Sequence, residues 1–282
     1  MDKKMMWKAA ACAAAVLGMA FMAGCGGEKE APKSEGAAQG GLVQQIKEKG
    51  QLVVGTASGF PPYEFIDTSK SEKTVAGIDI KLAQAIADKL GVKLVVQDMN
   101  FSAILSSIAA NKVDIAISGI SPTEERKKAV DFSDTYLNDQ NVLLIRKDDV
   151  GKYTKMEDFY GKPIAVQKST QQEALAKEHI KDGQIVSLDH VGDALMELQH
   201  GKVEAVPAQR VVAQQYLIMN PALADSGVIF EGADSASAVA VPKGNDDLMK
   251  LINEVIQENK QAGNFEKWTQ ECAKLAVENA QK

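Results

Sequence analysis

The sequence predicts an α/β fold made of two lobes of similar topology. Strand and helix signals alternate along most of the chain, which points to largely parallel sheets flanked by helices. A short helix–turn–strand unit occurs twice, as Ala110-Asn111-Lys112-Val113-Asp114 and as His200-Gly201-Lys202-Val203-Glu204, and a repeated unit fits two lobes better than one continuous sheet. Residues 42–282 are also long enough for two domains of modest size.

The first 24 residues have the pattern of a processing signal. Lys3, Lys4 and Lys8 form a positive start, Ala9 to Met22 an apolar run, and Met22-Ala23-Gly24-Cys25 places small residues before a cysteine. The apolar run is shorter than the roughly 20 residues that a spanning helix needs. The pattern resembles a bacterial lipobox, which implies a lipoprotein signal peptide at 1–24 and lipidation of Cys25, a tether to a membrane face rather than a span. An ordinary signal peptide cut nearby is the alternative. Residues 25–41, rich in Gly, Ala, Glu, Lys, Ser and Pro, read as a flexible linker. Loss of residues 1–24, which carry three lysines and one aspartate, takes the formal charge from −6 to −8. An acidic body argues against nucleic acid as a partner. The cysteines are Cys12, Cys25 and Cys272, so no pair is left for an internal disulfide. Cys272 reads as a small core residue.

Gln51 to Gly55 is a short apolar strand, and the prolines of Phe60-Pro61-Pro62-Tyr63 force a loop after it. Asp79 to Leu90 sets Leu82, Ala83, Ile86 and Leu90 on one helical face, with Gly91 as the C-cap. Lys93 to Val96 is the next strand. A helix from about Ser102 to Ala110 faces Ile104, Leu105 and Ile108 inward, and the strand Val113 to Ile117 follows. Pro163 to Val166 is a strand, Leu195 to Leu198 lies on a short helix, and Val203 to Val206 is a strand. Leu248, Leu251, Ile252 and Ile256 mark one C-terminal amphipathic helix and Phe265 to Val277 another, separated by Gly263. Trp268 reads as packing between these helices.

The densest chemistry lies at Ser118-Gly119-Ile120-Ser121-Pro122-Thr123-Glu124-Glu125-Arg126. Ser121 and Glu124 have capping-box spacing and Pro122 suits a first helical position, which predicts a helix N-terminus at a strand end, an anion site. The chain has only three arginines, Arg126, Arg146 and Arg210. A guanidinium at Arg126 can grip a carboxylate with two parallel hydrogen bonds, or it can pair on the surface with Glu124, Glu125 or Asp131. Thr170 and Glu173 repeat the capping-box spacing after the strand that begins at Pro163, so two helix N-termini would face one anion. Both could equally be well-capped helices and nothing more. Phe60, Tyr63 and Phe101 fall in loops at strand ends, where an apolar part of a ligand could lie between Phe60 and Phe101.

These residues line up with a known family. Leu52-Val53-Val54-Gly55-Thr56, Pro62-Tyr63-Glu64-Phe65, Gly77-Ile78-Asp79-Ile80, Lys112-Val113-Asp114, Ser121 to Arg126 and Asp131-Phe132-Ser133 closely resemble the family 3 solute-binding proteins of polar amino-acid ABC transporters. The resemblance implies a periplasmic-binding-protein-like fold, two Rossmann-like α/β lobes joined by a two-strand hinge. It places lobe 1 at 42–140 and 235–282 and lobe 2 at 141–234. It further implies that Arg126 holds the ligand α-carboxylate with the backbone N–H groups of Ser121 and Thr170. The Gly119 carbonyl and the Ser118 hydroxyl would take the α-amino group, and Phe60 and Phe101 would flank the side chain.

Two positions depart from the family's pattern. Gln209 stands where an acid usually pairs with the α-ammonium, so a plain amino acid would be held less strongly there; either Asp234 or another acid substitutes, or the ligand is not a plain zwitterion. Ala57 stands where relatives that bind basic amino acids often carry an acid. The implied function is capture of an amino acid or related small carboxylate and its delivery to ABC transporter permease subunits, outside the cytoplasm of a bacterium, by a lipid-anchored monomer in the periplasm or on the outer face of the cell membrane. The alternatives are a cleft enzyme of dehydratase type, for which no general base stands out, and a surface adhesin. A ligand sensor would need a downstream membrane span, and the sequence suggests none. The chain ends directly after the last helices, with no catalytic domain expected. His179, His190 and His200 are scattered, so neither a metal nor a cofactor is expected.

Overall fold

The computed structural model describes residues 41–69 and 71–281. The signal at 1–24, Cys25 and nearly all of the linker lie outside the described residues. The strands are β1 (Gln51–Thr56), β2 (Phe65–Asp67), β3 (Thr74–Ala76), β4 (Lys93–Asp98), β5 (Ile115–Ala116), β6 (Val130–Phe132), β7 (Leu137–Arg146), β8 (Pro163–Gln167), β9 (Gln184–Leu188), β10 (Val206–Gln209), β11 (Leu223–Ser237) and β12 (Ala240–Pro242). The helices are α1 (Leu42–Lys49), α2 (Ile78–Leu90), α3 (Ile104–Ala109), α4 (Gln171–His179), α5 (Val191–Gln199), α6 (Arg210–Met219), α7 (Asp246–Gln261) and α8 (Asn264–Ala280).

The first lobe is built on a five-stranded sheet in the order β4-β1-β5-β12-β6. β4, β1 and β5 run parallel, while β12 is antiparallel to both β5 and β6. The parallel half is the sequence expectation; the antiparallel half arises because β12 returns from the far end of the chain. In the second lobe β8 pairs with β9 in parallel and bridges to Ala205, and β7 pairs antiparallel with β10 and β11. Two strands, β7 and β11, run side by side from Leu137↔Ser237 to Arg146↔Leu223, with register shifts on either side of Ile229. They form the two-strand connection between the lobes.

The repeated unit has one geometry in both places. Asn111 (φ 53) and Gly201 (φ 71) take the left-handed conformation that ends a helix. The next N–H groups reach back, Lys112 to the Ser107 carbonyl and Lys202 to Glu197. The acids that follow dock onto the neighbouring strands, Asp114 N–H on Val53 and Glu204 N–H on Pro163. Their side chains then diverge. Asp114 accepts from Lys49 Nζ and Val53 N–H, whereas Glu204 accepts from Arg146 and from the Tyr153 hydroxyl.

Helix α2 shows why sequence spacing fixes a core. Ile78, Leu82, Ala83, Ile86, Ala87 and Leu90 are all buried, in one cluster with Leu52 and Val54 of β1, Leu248 and Ile252 of α7, and Cys272 of α8. Gly91 (φ 73) ends the helix as its type predicts. Trp268 meets Phe265 edge-on at 5.2 Å, and Cys272, its thiol pushed up to about 11 by burial, is a core residue. Leu82→Ala should lower unfolding free energy by about 2–5 kcal/mol, measured by urea denaturation; a loss below about 1 kcal/mol would mean that α2 is not central to this core.

Candidate functional site

The strand ends of the two lobes meet around a small cavity of about 20 Å³ lined by Phe60, Glu64, Phe101, Ser118, Gly119, Gln167, Thr170, Gln172 and Gln209. Six of the eight ligand-contact residues expected from the sequence thus converge. The other two do not line it: Arg126 lies over the Phe101 ring, 5.4 Å from its centroid, and Ser121 is hydrogen-bonded to Gln171. Arg126, with Ser169 and Thr170, also borders a larger hollow of about 560 Å³.

The segment 121–126 corrects an expectation. Residues 122–125 are turn and loop, and Arg126–Lys128 is a single 3-10 turn, not the start of an α-helix. The reason is spacing: β6 begins at Val130, which leaves no room for a helix. The capping box does not form either. Glu124 pairs with Lys127, and the Ser121 hydroxyl reaches across to Gln171 Oε1 at 2.8 Å. At Thr170 the expected cap is present, since its hydroxyl accepts the Glu173 N–H at 3.1 Å and starts α4.

Arg126 forms no salt bridge with Glu124, Glu125 or Asp131, the three partners open to it on the surface. Asp131 is held by Lys243 and the Gly244 N–H. The guanidinium instead donates to the carbonyls of Ser121 and Ser169, both at 2.8 Å, one from each lobe. It also lies over the Phe101 ring, 5.4 Å from its centroid. Burial pulls its pKa down to about 10, which Glu125 partly opposes. A half-buried cation with only neutral acceptors favours any anion brought within reach.

On the opposite wall sits an acid that the sequence reading did not assign to the site. Glu64 is 1 % exposed, accepts the Ser118 hydroxyl at 2.7 Å and lies beside the carboxyl of Asp79, with its Oε2 buried and receiving no donor among the described residues. Asp79 accepts the Gly119 N–H at 2.7 Å and the Tyr136 hydroxyl at 2.8 Å. The loop is stitched to α2 so that the two acids meet: Ile78 N–H donates to Pro62 and Asp79 N–H to Tyr63. Gly77 (φ 138) makes this approach possible, because a Cβ there would lie 2.0 Å from the Tyr63 carbonyl oxygen. Burial, then the charge of Asp79, pushes the Glu64 pKa well above the carboxylate range. Burial also raises Asp79, to about 6, against the hydrogen bonds from Glu64, Tyr136 and Gly119. At neutral pH the pair therefore holds one proton and one negative charge. The signal in the sequence was an acid between Tyr63 and Phe65 in a loop where every neighbour is apolar.

The remaining residues fit around this floor. Ser118 is committed, as donor to Glu64 and acceptor of the Ala57 N–H at 3.1 Å. Gly119 (φ 53) passes so close to Phe60 that a Cβ would sit 3.3 Å from the ring. Gln209 donates to Ser235 at 2.7 Å, while its buried Oε1 accepts no hydrogen bond among the described residues. Asp234 is exposed and does not line the cavity. Among the described residues no cluster of His, Cys, Asp and Glu could hold a metal ion, and no helix is long and apolar enough to cross a membrane.

Comparison with known proteins gives a consistent picture. The model for bacterial extracellular solute-binding proteins, family 3, matches residues 52–272. The arginine-binding extracellular protein ArtP of Bacillus subtilis is 29 % identical over 221 residues, 78 % of this chain and 84 % of that one. The L-cystine-binding protein TcyJ of Escherichia coli is 28 % identical, covering 81 % and 86 %. A crystal structure of an amino acid ABC transporter substrate-binding protein, AbpA, from Streptococcus pneumoniae bound to L-arginine superposes with a TM-score of 0.81 at 35 % identity, covering 83 % of this chain and 99 % of that one.

The Glu64 pKa has a consequence for stability. The folded state keeps a proton that the unfolded chain loses above about pH 4, so this group's contribution is present at low pH and is lost as pH rises, by up to about 1.4 kcal/mol per pH unit. Glu64→Gln, whose amide can serve both Ser118 and Asp79, should therefore be more stable than wild type near neutrality. Urea melts at about pH 5 and about pH 8 should show the gap widening with pH; a gap that narrows would mean that Glu64 is ionised in the folded protein.

Proposed function

We propose, for a chain that belongs to the bacterial extracellular solute-binding proteins of family 3, that it captures an amino acid between its lobes and delivers it to the permease of an ABC importer. The observation that carries this reading is the Arg126 guanidinium, which lies between the lobes and donates only to a carbonyl from each. An α-carboxylate entering there exchanges two neutral acceptors for one charged, bidentate acceptor, a gain of the kind that fixes orientation as well as affinity. In this assignment Arg126 holds the carboxylate with the N–H groups of Ser121 and Thr170. The Gln209 Oε1 and the Gly119 carbonyl receive the ammonium group, and Phe60 and Phe101 flank the side chain.

Hydrogen bonds that span the two lobes away from the connecting strands include Arg126 to Ser169, Ser121 to Gln171 and, at 2.7 Å, Tyr216 to the Gly59 carbonyl. An amino acid is larger than the 20 Å³ cavity, so entry requires the lobes to part about β7 and β11, and closure then shields the solute from water. We place the division at 42–140 with 235–282 and at 141–234, the points where these strands cross. The permease would read the closed form, and a lipid on Cys25 with the 25–41 linker would keep the protein near the membrane as a monomer.

A binding role fits better than a dehydratase. Gln209 is an amide that cannot serve as a general acid or base near neutral pH, and the one acid lining the cavity, Glu64, shares its proton with Asp79, so that the pair offers a charge but no free base to take a proton from a substrate. The ligand side chain meets Phe60, Phe101, Gln167 and Gln172, a mixed apolar and amide wall with Ala57 buried behind it. A thermal-shift panel of L-amino acids should find at least one ligand, which at 100 times its Kd adds about 2.7 kcal/mol to folding stability. Arg126→Ala should weaken that ligand by roughly 100-fold, with Arg126→Lys recovering only part. An unchanged affinity in Arg126→Ala would remove the carboxylate assignment.

A further inference from the structure

The amide at Gln209 leaves a charge problem. An α-ammonium group taken out of water needs an opposite charge, and an amide oxygen supplies only a partial one. Asp234 is exposed and outside the cavity. Asp98 is held by the N–H and hydroxyl of Ser58, and Asp139 accepts the Val211 N–H. Among the residues that line the cavity, Glu64 alone is acidic. On the same cavity lies the Gln209 Oε1, 1 % exposed as a residue and without a donor from the described residues, an acceptor suited to a ligand N–H.

Resting on the amino-acid reading above, we infer that the Glu64–Asp79 pair supplies the counter-charge for the ligand's ammonium group, with Glu64 as the specificity-determining carboxyl on the cavity wall. The pair carries one negative charge and one proton, stabilised by three donors: the Ser118 hydroxyl on Glu64, and the Gly119 N–H and Tyr136 hydroxyl on Asp79. When the ammonium arrives, the proton settles on Asp79 and the charge on Glu64, the nearer carboxyl. No proton enters or leaves the site. The charge thus moves from the second lobe, where the family's acid would stand, to the first, and Gln209 contributes direction alone.

The groups facing the pair leave it without a cation of its own. Tyr63, Tyr136 and Asp98 surround it in the first lobe, with Asp139 of β7, Tyr216 of α6 and Cys272 of α8 further out. Lys81 on the same helix as Asp79 is paired with Glu271. Neither acid forms an ion pair with a lysine, arginine or histidine among the described residues. The pair's charge is therefore free to act on a ligand, and it is present only above the pH at which Asp79 titrates, about 6.

The test compares amino acids with analogues that lack only the amino group: L-arginine beside δ-guanidinovalerate and L-glutamine beside glutaramate, by isothermal titration calorimetry. At about pH 7.5 the amino acid should bind wild type roughly 10- to 100-fold more tightly than its analogue, the advantage of a charge-assisted hydrogen bond. Glu64→Gln should reduce that ratio to about threefold or less, through a loss of amino-acid affinity larger than any change in the analogue's. In the wild type alone, the ratio should fall as pH is lowered from about 7.5 to about 5, since the ligand's ammonium and Arg126 stay charged throughout while the pair is neutralised. A ratio that survives in Glu64→Gln, or that is flat with pH, overturns the assignment and leaves the amino-acid cleft intact. Wild-type protein that binds no amino acid overturns the cleft reading and this assignment with it.

Discussion

A guanidinium held by carbonyls is the constraint around which the site is arranged. Arg126 is half-buried, lies against Phe101, and has a carbonyl from each lobe in place of a carboxylate. Charge in such a position is costly unless it is matched. Among the described residues no carboxylate pairs with this cation; under the proposed function, a ligand that brings an anion would improve the contact on both sides at once and so couple occupancy to closure through one side chain.

The fold exists to set that contact. Parallel strands β1 and β5 end at the loops bearing Phe60 and Ser118-Gly119, while β8 ends at Gln167 and leads into the turn bearing Ser169-Thr170. Helix α2 fixes the floor, because its first N–H groups hold the Pro62 and Tyr63 carbonyls and its Asp79 carboxyl holds Gly119. Backbone that approaches this closely needs Gly77 and Gly119. The connection through β7 and β11 breaks register around Ile229, and a twisted, irregular pair of strands suits a hinge better than a flat ladder does.

Much of this was legible in the sequence. Amphipathic spacing located α2, α7 and α8, α2 to within one residue of Ile78–Leu90, and the repeated helix–turn–strand unit foretold the shared geometry of Asn111 and Gly201. The convergence of Phe60, Phe101, Ser118, Gly119, Thr170 and Gln209 could be read from strand-end positions and from family likeness. The segment after Ile120 misled, since Ser121, Pro122 and Glu124 satisfy a local helix-start rule that the nearby strand β6 overrides. Glu64 was harder to place for a different reason: an acid between aromatics is a signal that fits a surface loop as well as a buried site, and only the approach of α2 shows that it is buried beside Asp79. Local pattern reports on local structure, whereas a coupled pair from two elements is a fact of tertiary packing.

The most direct measurement is a crystal structure of the protein grown with a bound amino acid. The account predicts the α-carboxylate within about 3 Å of both Arg126 terminal nitrogens, in place of the Ser121 and Ser169 carbonyls, and the ammonium group against Gln209 Oε1 on the Glu64 side of the cavity. A guanidinium still bound to the two carbonyls, with the ligand's carboxylate held elsewhere, would contradict it.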